Sequence, residues 1–121
     1  MKMTKSVSML VSALVLVGLS APAFAELCVQ GRKTEVYWKG EWYKATITQG
    51  EATRCRVTYE GYGSEWDEWI GPERMKIKVL WKGEWYPARA VRREGANYLV
   101  HYDGYTDDDN EIVPVSRMQV R

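Results

Sequence analysis

The sequence predicts an all-β chain: two tandem, small, highly curved five-stranded barrels behind a cleaved leader. Three observations predict it. The hexapeptide Trp-Lys-Gly-Glu-Trp-Tyr occurs twice, at residues 38–43 and 81–86, offset by 43 positions. Extended without a gap, residues 35–77 lie over residues 78–120 with 16 of 43 positions identical, among them Val36/Val79, Tyr59/Tyr102, Tyr62/Tyr105, Glu68/Glu111, Arg74/Arg117 and Met75/Met118. A fixed period sets the architecture, and two copies make a tandem pair, not a solenoid. Each copy is also short, rich in Trp, Tyr and Val, punctuated by Gly, and without a helical period.

The chain begins with Lys2 and Lys5, an apolar run from Val7 to Leu19, and the small-residue pattern Ala23-Phe24-Ala25. This is the pattern of a secretory signal peptide over residues 1–25, with cleavage expected after Ala25. The apolar run is shorter than the roughly 20 residues a membrane span needs, and the mature chain carries no candidate span. Leu27 stands where a lipoprotein signal would carry a small residue, which argues against a lipid anchor on Cys28. Residues 26–33 form an N-terminal tail, 34–77 the first repeat and 78–121 the second. The localisation expected is periplasmic or extracellular.

Removal of Lys2 and Lys5 leaves 15 basic against 16 acidic residues. A nucleic-acid binder shows a basic excess or stripe, because phosphate neutralisation drives its affinity. Nucleic acid is therefore a disfavoured partner. Cys28 and Cys55 are the only two cysteines, and an even pair in an exported chain reads as a disulfide. The alternative, a reactive thiol pair, favours close spacing such as Cys-x-x-Cys.

Within each repeat the first strand falls at 33–38 and 78–81, ended by Lys-Gly. The second falls at 41–49 and 84–92, where Trp42, Lys44 and Thr46 alternate with Tyr43, Ala45 and Ile47. A third strand at 54–59 and 97–102 follows a tight Gly-containing turn. A fourth lies near 66–70 and 111–113, and 75–79 and 118–120 close each repeat behind Pro72 and Pro114. No linker separates residues 76–77 from 78–81, so the two units are expected to sit in a fixed relation and to share a continuous strand.

The stretch Tyr59-Glu-Gly-Tyr62-Gly-Ser-Glu-Trp66-Asp-Glu-Trp69-Ile70 resembles the chromo-barrel or Tudor-knot family of the Tudor/chromo royal superfamily. The family pattern is Tyr-x-Gly-aromatic, three residues, then Trp-Asp-Glu-Trp and an aliphatic residue. Repeat one matches it throughout, with Pro72-Glu73-Arg74 and the segment from Trp42 to Ala45. Repeat two looks like Agenet or Tudor-type domains over residues 79–88 and 101–105. The resemblance covers essentially the whole mature chain and implies two Src-homology-3-type barrels. It also implies a cage of aromatic rings that receives a methylated lysine.

Carried over position by position, that cage is Tyr43, Tyr59, Tyr62 and Trp66, with Asp67 or Glu68 as a carboxylate near the cation. Ring faces attract a weakly hydrated ammonium, each by about 0.5–2 kcal/mol. The competing reading makes these aromatics barrel core, and Trp38, Trp42 and Trp69 are assigned to core or inter-barrel packing. Repeat two keeps Tyr86, Tyr102 and Tyr105, but Asp109 answers Trp66 and Ile112 answers Trp69, which leaves a partial secondary site. The run Asp107-Asp108-Asp109-Asn110-Glu111 lacks calcium-loop spacing and reads as a solvated loop.

No Cys/His metal spacing, phosphate-binding glycine loop or nucleophile elbow is present in the sequence, and His101, a lone strand histidine, reads as structural. The expectation is a non-enzymatic binding module without a cofactor or metal. Its partner would be a protein, a peptide or a small quaternary ammonium solute. An envelope assembly module with buried aromatics is the alternative.

Overall fold

The computed structural model describes residues 23–121. The expected leader lies outside the described residues except for Ala23, Phe24 and Ala25. Nine strands follow: β1 (Lys33–Trp38), β2 (Glu41–Glu51), β3 (Arg54–Tyr59), β4 (Glu68–Ile70), β5 (Ile77–Trp81), β6 (Glu84–Glu94), β7 (Asn97–Tyr102), β8 (Glu111–Pro114) and β9 (Met118–Val120). Single turns of 3-10 helix sit at Phe24–Leu27, Ser64–Trp66, Pro72–Arg74, Asp107–Asp109 and Val115–Arg117. All pairing is antiparallel, in a four-stranded sheet β1-β2-β3-β4 and a five-stranded sheet β9-β5-β6-β7-β8.

The second and third strands of the repeat are reproduced to the residue. Glu41–Glu51 and Glu84–Glu94 are both eleven-residue strands, and their registers slip at equivalent places, between Ile47 and Gln49 and between Ala90 and Arg92. Such a bulge bends the strand and sharpens its twist, so one long strand serves two faces of the unit. The Lys-Gly turns are two-residue hairpin loops: Trp38 pairs with Glu41 and Trp81 with Glu84. Lys39, Gly40, Lys82 and Gly83 all have positive φ, the type I′ geometry whose twist matches that of the flanking strands.

The next turn is less uniform. Ala52 has φ +49° where repeat two has Gly95 at φ +63°. A Cβ in the left-handed region is strained, and glycine relieves it. Ala52→Gly is expected to raise stability by about 0.5–1 kcal/mol, measured as a higher denaturant midpoint.

Neither sheet closes into the expected barrel. Among the described residues no ladder joins β4 or β8 to the strand that follows it. One 3-10 turn (Pro72–Arg74, Val115–Arg117) intervenes and swings the chain across to the far edge, where Met118 pairs with Val79 and Met75 makes a single bridge to Val36. The first unit therefore has four strands and a bridge where five strands were expected.

The two units follow each other without a linker, but not as the continuous strand expected: Met75 is an isolated bridge, Lys76 is unpaired in the ladder, and a new strand starts at Ile77. Met75 pairs back onto Val36, and two residues later Ile77 pairs with Ala88 and Val120 of the second unit. The core is one cluster through both units, built on small and aliphatic side chains: Val36, Ala45, Ile47, Val57, Met75, Ile77, Val79, Val100, Val113 and Met118. The Cys28–Cys55 disulfide is formed and buried, and it ties the N-terminal segment to β3.

Trp38, Trp42 and Trp69 are not core, contrary to expectation. Trp42 stands on the outer face of β2, edge-on to Tyr37 at 5.3 Å and 5.0 Å beneath the Lys76 ammonium. Trp69, half-buried, is covered by the Arg54 guanidinium at 4.8 Å. These indoles instead pack against cationic side chains at the surface, Lys39 over Trp38, Lys76 over Trp42 and Arg54 over Trp69.

Candidate functional site

Strand alternation delivers the site. Thr34, Val36 and Trp38 share one face of β1, and Tyr43, Ala45 and Ile47 one face of β2. Thr34, Val36, Ala45 and Ile47 are buried, whereas Trp38 and Tyr43 lie beyond the end of the core, at the hairpin tip. The loop after β3 then brings Tyr62 and Trp66 over the same end. Gly61, at φ +80°, allows that loop to reverse.

The result is a closed circuit of edge-to-face rings. Trp38 meets Tyr43 at 6.0 Å, Tyr43 meets Tyr62 at 6.2 Å, Tyr62 meets Trp66 at 6.3 Å, and Trp66 returns to Trp38 at 6.3 Å. Tyr59 lies behind Tyr43 at 6.3 Å. These rings, with Glu65, Asp67 and Glu68, line a cavity of about 350 Å³. Tyr62 and Trp66 are 53% and 51% exposed, while Tyr59 is 9% exposed and belongs to the core as much as to the cavity. All four residues named from the sequence are brought together, and Trp38 is a fifth wall.

The carboxylates divide by role. Glu68 accepts two hydrogen bonds from Arg74, at 2.8 and 3.1 Å, and one from the Tyr59 hydroxyl at 2.6 Å. Arg74 also donates to the Tyr37 carbonyl at 2.8 Å. Repeat two has the same trio: Tyr102 and Arg117 donate to Glu111, at 2.5 and 2.6 Å, and Arg117 donates to the Leu80 carbonyl. Glu68 is thus a strut and is not free to meet a cation.

Asp67 has no such commitment. It lines the cavity, and its buried Oδ1 has no hydrogen-bond partner among the described residues. At the matching position of repeat two, Asn110 Oδ1 lies 2.9 Å from His101 Nδ1, and repeat one has Thr58 where that histidine stands. His101 is half-buried, its Nδ1 also 3.1 Å from Asp107 Oδ1.

Hydrogen bonds from Arg74 hold the Glu68 carboxyl below its usual 4.5, against the opposing effect of burial. For Glu111 burial acts upward, but hydrogen bonds from Tyr102 and Arg117 outweigh it and the carboxyl again lies low. Burial, and then donation to these carboxylates, pushes the Tyr59 and Tyr102 phenols well above 10. A carboxyl depressed in the folded state stabilises it fully above the unfolded pKa and loses that contribution as pH falls. Stability is therefore expected to drop between about pH 5 and pH 3 in denaturant titrations, and Glu68→Gln to flatten that acid limb.

The partial site is assembled as well. Trp81, Tyr86, Tyr102 and Tyr105 form a chain at 6.0, 6.3 and 6.4 Å around a cavity of about 150 Å³, bordered by Asp109 and Glu111. Asp109 stands where Trp66 closes the first circuit, so the second remains open on that side.

No protein-family model and no curated protein matches the chain. The site is consequently read from its own geometry. The member that sequence reasoning missed in each unit is the first tryptophan of the hexapeptide, Trp38 and Trp81. Its signal was available: it shares a strand face with Val36 or Val79 but is the last residue before the Lys-Gly turn.

Proposed function

We propose that this chain is an exported, non-enzymatic binding protein of Tudor-like type whose first unit seats a methylated ammonium group. That group would be a methylated lysine side chain on a protein or peptide, or a small quaternary ammonium solute. The observation that carries the reading is the closed ring circuit around a cavity with two half-exposed members. Large aromatic rings left open to water are unfavourable for folding alone, and an exposed apolar cluster marks a recognition surface. Aromatic faces recognise quaternary ammonium by cation–π attraction, strengthened where the cation sheds water cheaply.

Glu65 and Asp67 supply negative charge at the wall, and the lining offers rings and carboxylates without a Ser, Cys or His nucleophile among the described residues. The disulfide and the leader pattern together favour an oxidising compartment. Exposure of Trp66 and Tyr62 favours this reading over an assembly module with buried aromatics.

The test is an amide and indole NMR titration of the oxidised protein with trimethyllysine peptide, glycine betaine and choline, using unmodified lysine peptide as control. Shifts confined to Trp38, Tyr43, Tyr62 and Trp66 support the cage; no shift at millimolar ligand rejects it. Asp67 carries a separate expectation. A quaternary ammonium has no N–H to donate, so its attraction to Asp67 is coulombic, about 4 kcal/mol at roughly 4 Å near a protein surface before the cost of desolvation. Asp67→Asn should therefore weaken ammonium binding roughly 10-fold. The same change should leave the melting temperature unchanged or higher, because a buried atom without a partner costs less on a neutral amide than on a carboxylate.

A further inference from the structure

From the burial of Phe24 we infer that the chain is processed at the Ala23–Phe24 bond, not after Ala25, so that Phe24 becomes the N-terminal residue and a working part of the fold. The inference rests on the export reading. The sequence holds two overlapping small-x-small patterns, Ala21-Pro22-Ala23 and Ala23-Phe24-Ala25, and either satisfies a leader peptidase. Structure separates them.

Phe24 is 1% exposed, and its ring lies 5.9 Å from that of Tyr98, itself buried in the second unit. The Ala25 N–H donates to the Ala52 carbonyl at 3.0 Å, and the Cys28 N–H donates to the Ala25 carbonyl at 3.1 Å. Strand β2 is shaped around this turn. A Cβ at Gly50 would come within 2.5 Å of the Ala25 oxygen and 2.8 Å of the Cys28 Cβ.

Repeat two lacks a corresponding cover: Arg93 stands where Gly50 does, and Tyr98 where Cys55 does. Two of the departures from the repeat thus lie on the surfaces that receive residues 24–28. A cut after Ala25 would remove the Phe24 ring and both Ala25 hydrogen bonds from the molecule. Among the described residues, a cut after Ala23, which is exposed, sacrifices one backbone bond, from the Glu26 N–H to the Ala23 carbonyl.

The step is amide hydrolysis by the host's leader peptidase before folding. Water adds to the Ala23 carbonyl carbon, Ala23 leaves with a carboxylate, and the Phe24 nitrogen becomes a free, protonated amine. The bond is buried on one side only after folding, so access during export is not obstructed.

The experiment is expression of the full 121-residue chain in an exporting bacterial host, followed by intact mass and N-terminal sequencing. A product spanning 24–121 is expected. A product spanning 26–121 overturns the inference and leaves the export reading standing; an uncut chain overturns both. In parallel, Ala21→Tyr spoils the upstream pattern and leaves the downstream one intact, so cleavage should shift to produce 26–121. That product should melt more than about 10 °C lower than the wild-type product, as expected for loss of a buried aromatic ring from a chain of this size. Equal melting temperatures would show that Phe24 is dispensable and overturn the inference.

Discussion

Trp66→Ala is expected to weaken binding of trimethyllysine peptide or choline by more than about 10-fold while leaving the fold intact, as measured by calorimetric titration and thermal melting. Trp66 contacts both Trp38 and Tyr62, so its removal breaks the ring circuit at two joints. A tryptophan face contributes up to about 2 kcal/mol to a desolvated cation, and the opened cavity readmits water to the rest. With half of its surface already exposed, the indole adds little to the core, and the melting temperature should fall by no more than a few degrees. The reciprocal change, Asp109→Trp, should close the second circuit and strengthen ammonium binding there. If Trp66→Ala binds as tightly as wild type, the cage is not the site.

Loss of the buried Cys28–Cys55 bridge is expected to be among the most destabilising single changes in the chain. The bridge spans 27 positions, for which the loss of loop-closure entropy in the unfolded chain corresponds to about 3–4 kcal/mol. A second contribution comes from the folded side. The bridge anchors the turn that carries Phe24, and an unanchored terminus frays. Reduction, or Cys55→Ala, should therefore lower the melting temperature by about 15 °C or more. Hydrogen exchange should quicken first at Ala25 and Cys28, whose N–H groups are tied to Ala52 and to the turn itself. A reduced protein that melts like the oxidised one would refute this.

Much of the fold was legible because short-range chemistry enforced it. The Lys-Gly pairs require two positive φ values and so marked both hairpins. The alternation of Tyr43, Ala45 and Ile47 against Trp42, Lys44 and Thr46 fixed the faces of β2. Cysteine parity gave the bridge. The same alternation also placed Trp42 on the outer face, but its hydrophobicity was read as burial. An indole pressed under a lysine satisfies its apolar surface without entering a core.

Trp38 was misplaced for a different reason: it follows the inward face correctly yet extends past the last packed layer. The strut made by Arg74, Glu68 and Tyr59 could not be foreseen, because residues 59, 68 and 74 meet only in three dimensions. Phe24 was hidden inside a pattern that also serves export. A run of small residues around one aromatic looks the same whether it is discarded or kept.

The joint at Met75 and Ile77 has an evolutionary consequence. With one residue between the rung that finishes the first copy and the rung that starts the second, the duplication has no seam along which to be undone. Deleting the second copy would take Tyr98 away from Phe24, and deleting the first would remove the strand on which residues 24–28 rest. The two copies can therefore diverge in their cavities, as Trp66 and Asp109 already have, but neither can leave.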